Sequence, residues 1–308
     1  MAYKILITPR SFGQNNSEPW ELLKEKGYEL ITNPYGRIMT EEEMIECVKD
    51  VDGIILGVDP CGKNVIEKAS KLKCISRYGV GLDNVDLDYA KERNIPIHRT
   101  VGANSNAVAD YAFGLMLDVT RKISHIDRKC RSGNWKKIKT SEIWGKTIGI
   151  IGLGAIGKGV AKRASGFNMT VLAFDLYKDE EYAKENNIKY VDLETIYKNA
   201  DFISLHLPLT DETKDLISYD EFAMMKDNAV IVNTARGGVI NEDALYDALS
   251  NNKISGAGID VFTKEPPTNN NFTELDNIVI GSHCAASTIE AIDNMSIMAT
   301  NNLINSLK

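Results

Sequence analysis

A five-residue apolar run, Thr147-Ile-Gly-Ile-Ile151, leads directly into Gly152-Leu-Gly-Ala-Ile-Gly157, and Asp175 follows eighteen residues after the last of these glycines. Few folds accommodate that layout. The run reads as a buried strand, and the three glycines read as the tight turn from strand to helix. Each has its own steric reason: Gly152 permits the turn, Gly154 lets backbone amides approach a pyrophosphate, and Gly157 lets helix and strand pack closely. The helix start then presents orphan N–H groups and the positive end of a dipole to anionic phosphate. Ile156, Val160, Ala164 and Phe167 follow helical spacing, and a second strand, Met169 to Phe174, ends at Asp175. A carboxylate there accepts the hydroxyls of an adenosine ribose and repels a 2′-phosphate. Leu176, Tyr177 and Lys178 follow with one cation and no arginine, so NAD is expected rather than NADP.

The 308 residues, 43% of them hydrophobic, are enough for two domains with sizeable cores. Net charge is −7, with Lys and Arg dispersed rather than gathered in runs, which argues against a nucleic-acid partner. No stretch approaches the roughly 18 consecutive apolar residues of a membrane helix, and the N-terminus lacks a signal-peptide layout. A cytoplasmic location is expected. The five cysteines are odd in number and show no C-x-x-C spacing, which suits reduced thiols. None of the four histidines pairs with another at metal-ligand spacing, so no metal is expected.

Short apolar runs alternate with helical patterns over the first hundred residues, the mark of stacked βα units around a parallel sheet. Strands are predicted at 4–8, 28–32, 53–56, 74–77 and 96–98. A helix is predicted to start at Thr40, where Glu43 completes a capping box, and others at 65–70 and 86–93. Val108, Tyr111, Ala112, Leu115, Val119, Ile123 and Ile126 then keep i, i+3, i+4 spacing, predicting one helix over 106–126, about six turns long. Beyond the glycine motif, further strands are predicted at 201–205, 229–233, 255–261 and 277–280. A last helix over 290–307 is expected to cross back to the first domain.

Three motifs fall at ends of these later strands, where ligands bind in open α/β sheets. Arg236 follows Val232-Asn-Thr-Ala235 and precedes two glycines. Asp260 lies in Gly258-Ile-Asp-Val-Phe-Thr-Lys-Glu265, with Glu265 five residues on. His283 stands in Ile280-Gly-Ser-His-Cys-Ala285, before the last helix. Taken singly, Arg236 is as well read as a solvated turn residue, Glu265 as a surface residue before prolines, and His283 as structural.

Jointly these motifs, with Arg77-Tyr-Gly-Val-Gly-Leu-Asp-Asn-Val-Asp86 and Leu205-His-Leu-Pro-Leu-Thr210, resemble the D-isomer-specific 2-hydroxyacid dehydrogenase family, most closely its phosphoglycerate dehydrogenase group. The resemblance covers essentially the whole chain. It implies an α/β protein of two doubly wound parallel-sheet domains, with a Rossmann-type NAD domain at 104–284 inserted in a flavodoxin-like substrate domain at 1–103 and 285–308. It implies hydride transfer between NAD and a small 2-keto or 2-hydroxy acid in the cleft between domains, with 3-phosphoglycerate as one candidate, and a homodimer.

Carried over by residue, Arg236 would grip the substrate carboxylate with its planar fork. Backbone amides near Val80 and Gly81 would complete the cradle, with Arg77 and Asn104 also at the substrate. His283 would protonate the carbonyl oxygen as hydride arrives, and Glu265 would pair with it and orient its ring. Asp260 would hold the nicotinamide carboxamide. Gly152, Gly154, Ala155, Ile156, Gly157 and Asp175 would meet the cofactor from the glycine turn. His206, Leu207, Pro208, Thr234, Ala235, His283 and Ala285 would line it from the other strand ends.

The family often has proline before the histidine and glycine two residues after it, where this chain has Ser282 and Ala285. The loop Leu56 to Gly62 offers Asp59 and no arginine before Lys63 for a substrate phosphate, which leaves Arg77, Arg10 and Arg99 as candidates. A second class stays open, an NAD-sensing corepressor-like binding protein with little turnover. A third, a formate or phosphite enzyme, is opposed by Glu265, since formate-oxidising relatives usually carry glutamine there.

Overall fold

The computed structural model describes residues 2–267 and 270–307, and the chain folds as two compact units, 1–104 with 286–308, and 105–285. Each is built on a fully parallel sheet.

In the first unit the strands are β1 (Lys4–Ile7), β2 (Glu29–Thr32), β3 (Gly53–Leu56), β4 (Cys74–Arg77) and β5 (Ile97–Arg99), in the order β2-β1-β3-β4-β5. This is the flavodoxin-like order, which reverses direction at β1/β3. Helices α1 (Glu18–Glu25), α2 (Glu41–Val48), α3 (Lys63–Lys68) and α4 (Leu87–Glu92) connect the strands. The capping box of α2 is present: Thr40 Oγ1 accepts the Glu43 N–H, and Glu43 accepts the Thr40 N–H. Both orphan amides are thereby satisfied, and Met44 and Val48 enter the core.

The second unit contains α5 (Ser105–Arg121), α6 (Ile123–Arg131), β6 (Thr147–Ile151), α7 (Ala155–Gly166), β7 (Thr170–Phe174), α8 (Glu180–Glu185), β8 (Ile188–Tyr190), α9 (Leu193–Asn199), β9 (Phe202–Leu205), α10 (Tyr219–Met224), β10 (Val230–Asn233), α11 (Glu242–Ser250), β11 (Gly256–Ile259) and β12 (Ile278–Ile280). Its sheet order is β12-β11-β10-β9-β6-β7-β8, so the winding reverses between β6 and β9. A ligand crevice opens at such a point, outside the carboxyl ends of the strands. The central strands are buried on both faces and are accordingly mostly apolar, with Thr147, Ser204 and Asn233 as their polar residues. The last helix, α12 (Ile289–Ser306), packs on β3, β4 and β5 and so belongs to the first unit.

One expectation fails. The helix over 106–126 is two helices, broken at Lys122, which takes φ +52°. The Asp118 carboxylate accepts the Ser124 N–H at 2.7 Å and satisfies an amide that the break would orphan. Apolar spacing continues across the break, but Ile123 is 56% exposed, so periodicity alone overstates the helix. Among the described residues no helix is long and apolar enough to cross a membrane, and no cluster of His, Cys, Asp or Glu could hold a metal ion.

Candidate active site

The glycine turn is shaped for close approach. Gly152 has φ +96°, and a Cβ there would lie 2.5 Å from the carbonyl oxygen of His206, the residue just past the end of neighbouring β9. At Gly157 a Cβ would lie 2.1 Å from the Gly152 oxygen, so only glycine lets α7 start this near β6. A Cβ at Gly154 would meet nothing within 4 Å, which leaves the N-terminus of α7 and its first residues, Ala155 and Ile156, open to a phosphate. Asp175, at the end of β7, accepts the Leu153 N–H at 2.7 Å and the Tyr177 N–H at 2.8 Å. Its carboxylate thus ties the turn to β7 and keeps lone pairs for ribose hydroxyls.

Two buried atoms beside this turn lack a protein partner. His206 Nε2 pairs with Ser204 Oγ at 2.9 Å, whereas His206 Nδ1 and Thr234 Oγ1 are buried with no hydrogen bond. Burial pushes His206 down to about 3, so its ring is neutral. Unsatisfied buried polar atoms are uncommon. Together with the glycine turn and the Asp175 carboxylate, they fit a dinucleotide along the ends of β6, β7, β9 and β10. Leu207, partly buried against the core, and exposed Pro208 continue that edge beyond His206.

Arg236 sits in a turn fixed by Asn233, the last residue of β10. Asn233 Oδ1 accepts the Ala235 N–H at 3.0 Å and its Nδ2 donates to the Arg236 carbonyl at 2.9 Å. Arg236 Nη1 donates to the Ala235 carbonyl at 2.6 Å. A Cβ on Gly237 would fall 2.0 Å from the Phe262 carbonyl carbon, so this turn lies directly on the segment that carries Glu265. Sequence reasoning noticed the glycines but missed Asn233; an amide side chain at a strand end, able to accept the N–H two residues on as in an Asx turn, was the available signal.

Glu265 and His283 meet. His283 Nδ1 is 2.8 Å from Glu265 Oε2, and Glu265 Oε1 accepts the Phe262 N–H at 3.0 Å. His283 itself has φ +57°, an uncommon conformation for a non-glycine residue. Asp260 is 1% exposed, with its carboxylate on the Cys284 and Ala285 amides at 3.1 and 2.9 Å. Arg236, Asp260, Glu265 and His283 thus occupy one edge of the sheet, at the ends of the adjacent strands β10, β11 and β12.

In the first unit, Arg77 is buried, its Nε donating to the Gly81 carbonyl at 2.8 Å and its Nη1 to the carbonyls of Leu56, at 3.3 Å, and Tyr78. Thr100 engages Gly79 from both sides, accepting its N–H at 2.8 Å and donating its own to the Gly79 carbonyl at 3.1 Å. The loop bearing Val80 and Gly81 is therefore held from within. Asn104 Oδ1 is buried without a partner.

Residues 113–285 match the family described as D-isomer specific 2-hydroxyacid dehydrogenase, NAD binding domain. The D-3-phosphoglycerate dehydrogenase of Methanocaldococcus jannaschii is 44% identical over 257 residues, covering 82% of this chain and 49% of that protein. The chain thus spans about half the length of that relative. The glyoxylate reductase of Thermococcus litoralis is 40% identical over 314 aligned positions, covering 99% of this chain and 93% of that one. The crystal structure of D-lactate dehydrogenase from Aquifex aeolicus complexed with NAD and lactic acid superposes with a TM-score of 0.85 at 28% identity, covering 98% and 95% of the two chains. With its glycine turn, its Arg, Glu and His at adjacent strand ends and these matches, the chain belongs to the D-isomer specific 2-hydroxyacid dehydrogenase family and carries that family's NAD-binding domain.

Proposed function

We propose that the protein interconverts a small 2-keto acid and its D-2-hydroxy acid. NAD, when bound, supplies or accepts the hydride. The reading rests on one contact above the others, the 2.8 Å pairing of His283 Nδ1 with Glu265. It fixes the ring and leaves Nε2 to give a proton to the keto oxygen, or to take it back in the reverse direction. Arg236 binds the carboxylate through its two-pronged guanidinium. In the first unit, Arg77 braces the loop at Val80 and Gly81 through the Gly81 carbonyl.

Among substrates, a non-phosphorylated keto acid of the glyoxylate or hydroxypyruvate kind fits better than phosphohydroxypyruvate. Arg77 is buried on three backbone carbonyls, and Arg10 donates to the Gly36 carbonyl at 3.2 Å from an exposed position. Asp59 adds a buried carboxylate to the neighbouring loop. The chain is taken to act as a homodimer, because α6 buries no residue and Ile123, Trp135 and Trp144 are 56%, 80% and 61% exposed along the segment that follows α5. Five free thiols suit the reducing cytoplasm.

The deciding experiment is NADH oxidation with glyoxylate, hydroxypyruvate, pyruvate, phosphohydroxypyruvate and branched 2-keto acids. Turnover on one or more of the first three is expected. Inactivity on all, with NAD-dependent association to another protein, would replace this reading with that of a corepressor-like binding protein.

A further inference from the structure

His283 holds a left-handed backbone, φ +57°, which a non-glycine residue rarely adopts unaided. Something else must fix it. Asp260 touches the segment at three successive residues. Its carbonyl accepts the His283 N–H at 2.8 Å, its Oδ1 accepts the Cys284 N–H at 3.1 Å, and its Oδ2 accepts the Ala285 N–H at 2.9 Å. The Cys284 thiol lies 3.7 Å from Oδ1 and 3.2 Å from Tyr111 Oη on α5. A Cβ on Gly281 would stand 2.1 Å from Asp260 Oδ1 and 2.8 Å from Tyr111 Oη, so the strand end carrying the histidine is pressed against the carboxylate. Three consecutive amides therefore converge on a single residue that is almost wholly buried.

We infer that Asp260 is a positioning residue for His283: its carboxylate and carbonyl together anchor residues 283–285 and hold the imidazole where Glu265 can reach it. Glu265 grips the ring, and Asp260 grips the backbone that carries it. The side chain is thus fixed by one carboxylate and the main chain by another. This inference rests on the proposed role of His283, yet it concerns an arrangement present before any cofactor or substrate binds.

Its test begins with the cofactor-free parent protein. The amides of His283, Cys284 and Ala285 should exchange with deuterated solvent about tenfold or more slower than unprotected backbone. Exchange at the unprotected rate overturns the anchor, with no variant needed. In Asp260→Asn one acceptor oxygen becomes a donor facing a backbone N–H. Protection at Cys284 and Ala285 should fall, and diethyl pyrocarbonate, followed on the His283 peptide by mass spectrometry, should modify the ring faster. With saturating NADH and the preferred keto acid, kcat should drop by about 10²-fold, the scale of a small misplacement of a reacting group. Weaker NAD binding with unaltered His283 reactivity would assign Asp260 to the cofactor alone and overturn the inference. If the variant does not fold, the parent exchange result decides. Loss of the keto-acid reading would appear instead as absence of turnover in the parent, which leaves the exchange measurement intact.

Discussion

The carboxylate of Glu265 bridges the ring of His283 and the backbone of Phe262, with Oε2 2.8 Å from His283 Nδ1 and Oε1 3.0 Å from the Phe262 amide. A carboxylate held at both oxygens cannot swing away, so the ring it engages keeps one orientation. Removing the proton donor by His283→Ala should lower kcat by about 10²–10⁴-fold. Glu265→Gln keeps the shape but loses the charge, and should cost about 10–10²-fold with little effect on NAD binding. Steady-state kinetics beside calorimetric NAD titration checks both, and parental turnover in His283→Ala would remove the residue from the mechanism.

Arg236 stands on a turn that Asn233 fixes through two hydrogen bonds, so its guanidinium is delivered from a stiff base. Arg236→Lys retains the charge without the fork and should raise KM for the keto acid by about tenfold. Arg236→Ala should reduce kcat/KM by about 10²-fold, the worth of charge-assisted hydrogen bonds of about 1.5–3 kcal/mol. An unchanged KM in both variants would place the carboxylate elsewhere.

How far the sequence carried follows from which forces are local. A strand run such as Gly53–Leu56 was legible because both-face burial leaves continuous apolar residues. The α2 capping box was legible because its two bonds span three residues. The break at Lys122 was not, since it depends on Asp118 reaching forward six residues to Ser124 while the apolar period runs on unbroken. In the site, Arg236, Glu265 and His283 announced themselves by motif. Asn233, Tyr111 and Gly281 did not, because each matters only through a neighbour brought close by the sheet. Arg77 shows the converse: its charge suggested a ligand contact, and burial turned it toward backbone carbonyls.

His206 gives a pH dependence with a definite sign. Burial lowers it from 6.5 to about 3, so an unfolded chain takes up this proton near its ordinary value while the folded chain refuses it. Between those values the unfolded state binds more protons, so the contribution is fully present above the unfolded value and is lost as pH falls toward the folded one. The ring resonances of His206 should stay fixed between about pH 8 and about pH 5. His206→Gln should flatten the acid side of the Tm profile, and a ring that titrates near 6.5 would contradict the burial.

Gly157 tests the packing of the turn. The Cβ of Gly157→Ala would stand 2.1 Å from a backbone oxygen, which has no flexible end to move aside. The start of α7 must shift, at a cost of about 1–3 kcal/mol for an overpacked site. A lower Tm and weaker NAD binding should appear together, because the same displaced turn serves both. A variant with parental Tm would show that α7 can start further from β6 without penalty.

Asp175 bears on cofactor choice in two ways. Its oxygens accept the Leu153 and Tyr177 amides at 2.7 and 2.8 Å, and its charge at the end of β7 would repel the 2′-phosphate of a bound NADP. Asp175→Ala should therefore weaken NAD binding about tenfold, through lost ribose contacts and a looser turn. It should also lift the repulsion of NADP. A preference for NADP requires in addition a cation, and Lys158 on α7 pairs with Asp179 at 2.5 Å. The single variant is expected to bind the two cofactors about equally, and Asp175→Ala with Asp179→Ala, which releases Lys158, should turn the ratio toward NADP. Calorimetric titration of both cofactors into parent, single and double variants decides it. Undiminished NAD preference in the double variant would mean that selection is made somewhere other than the end of β7.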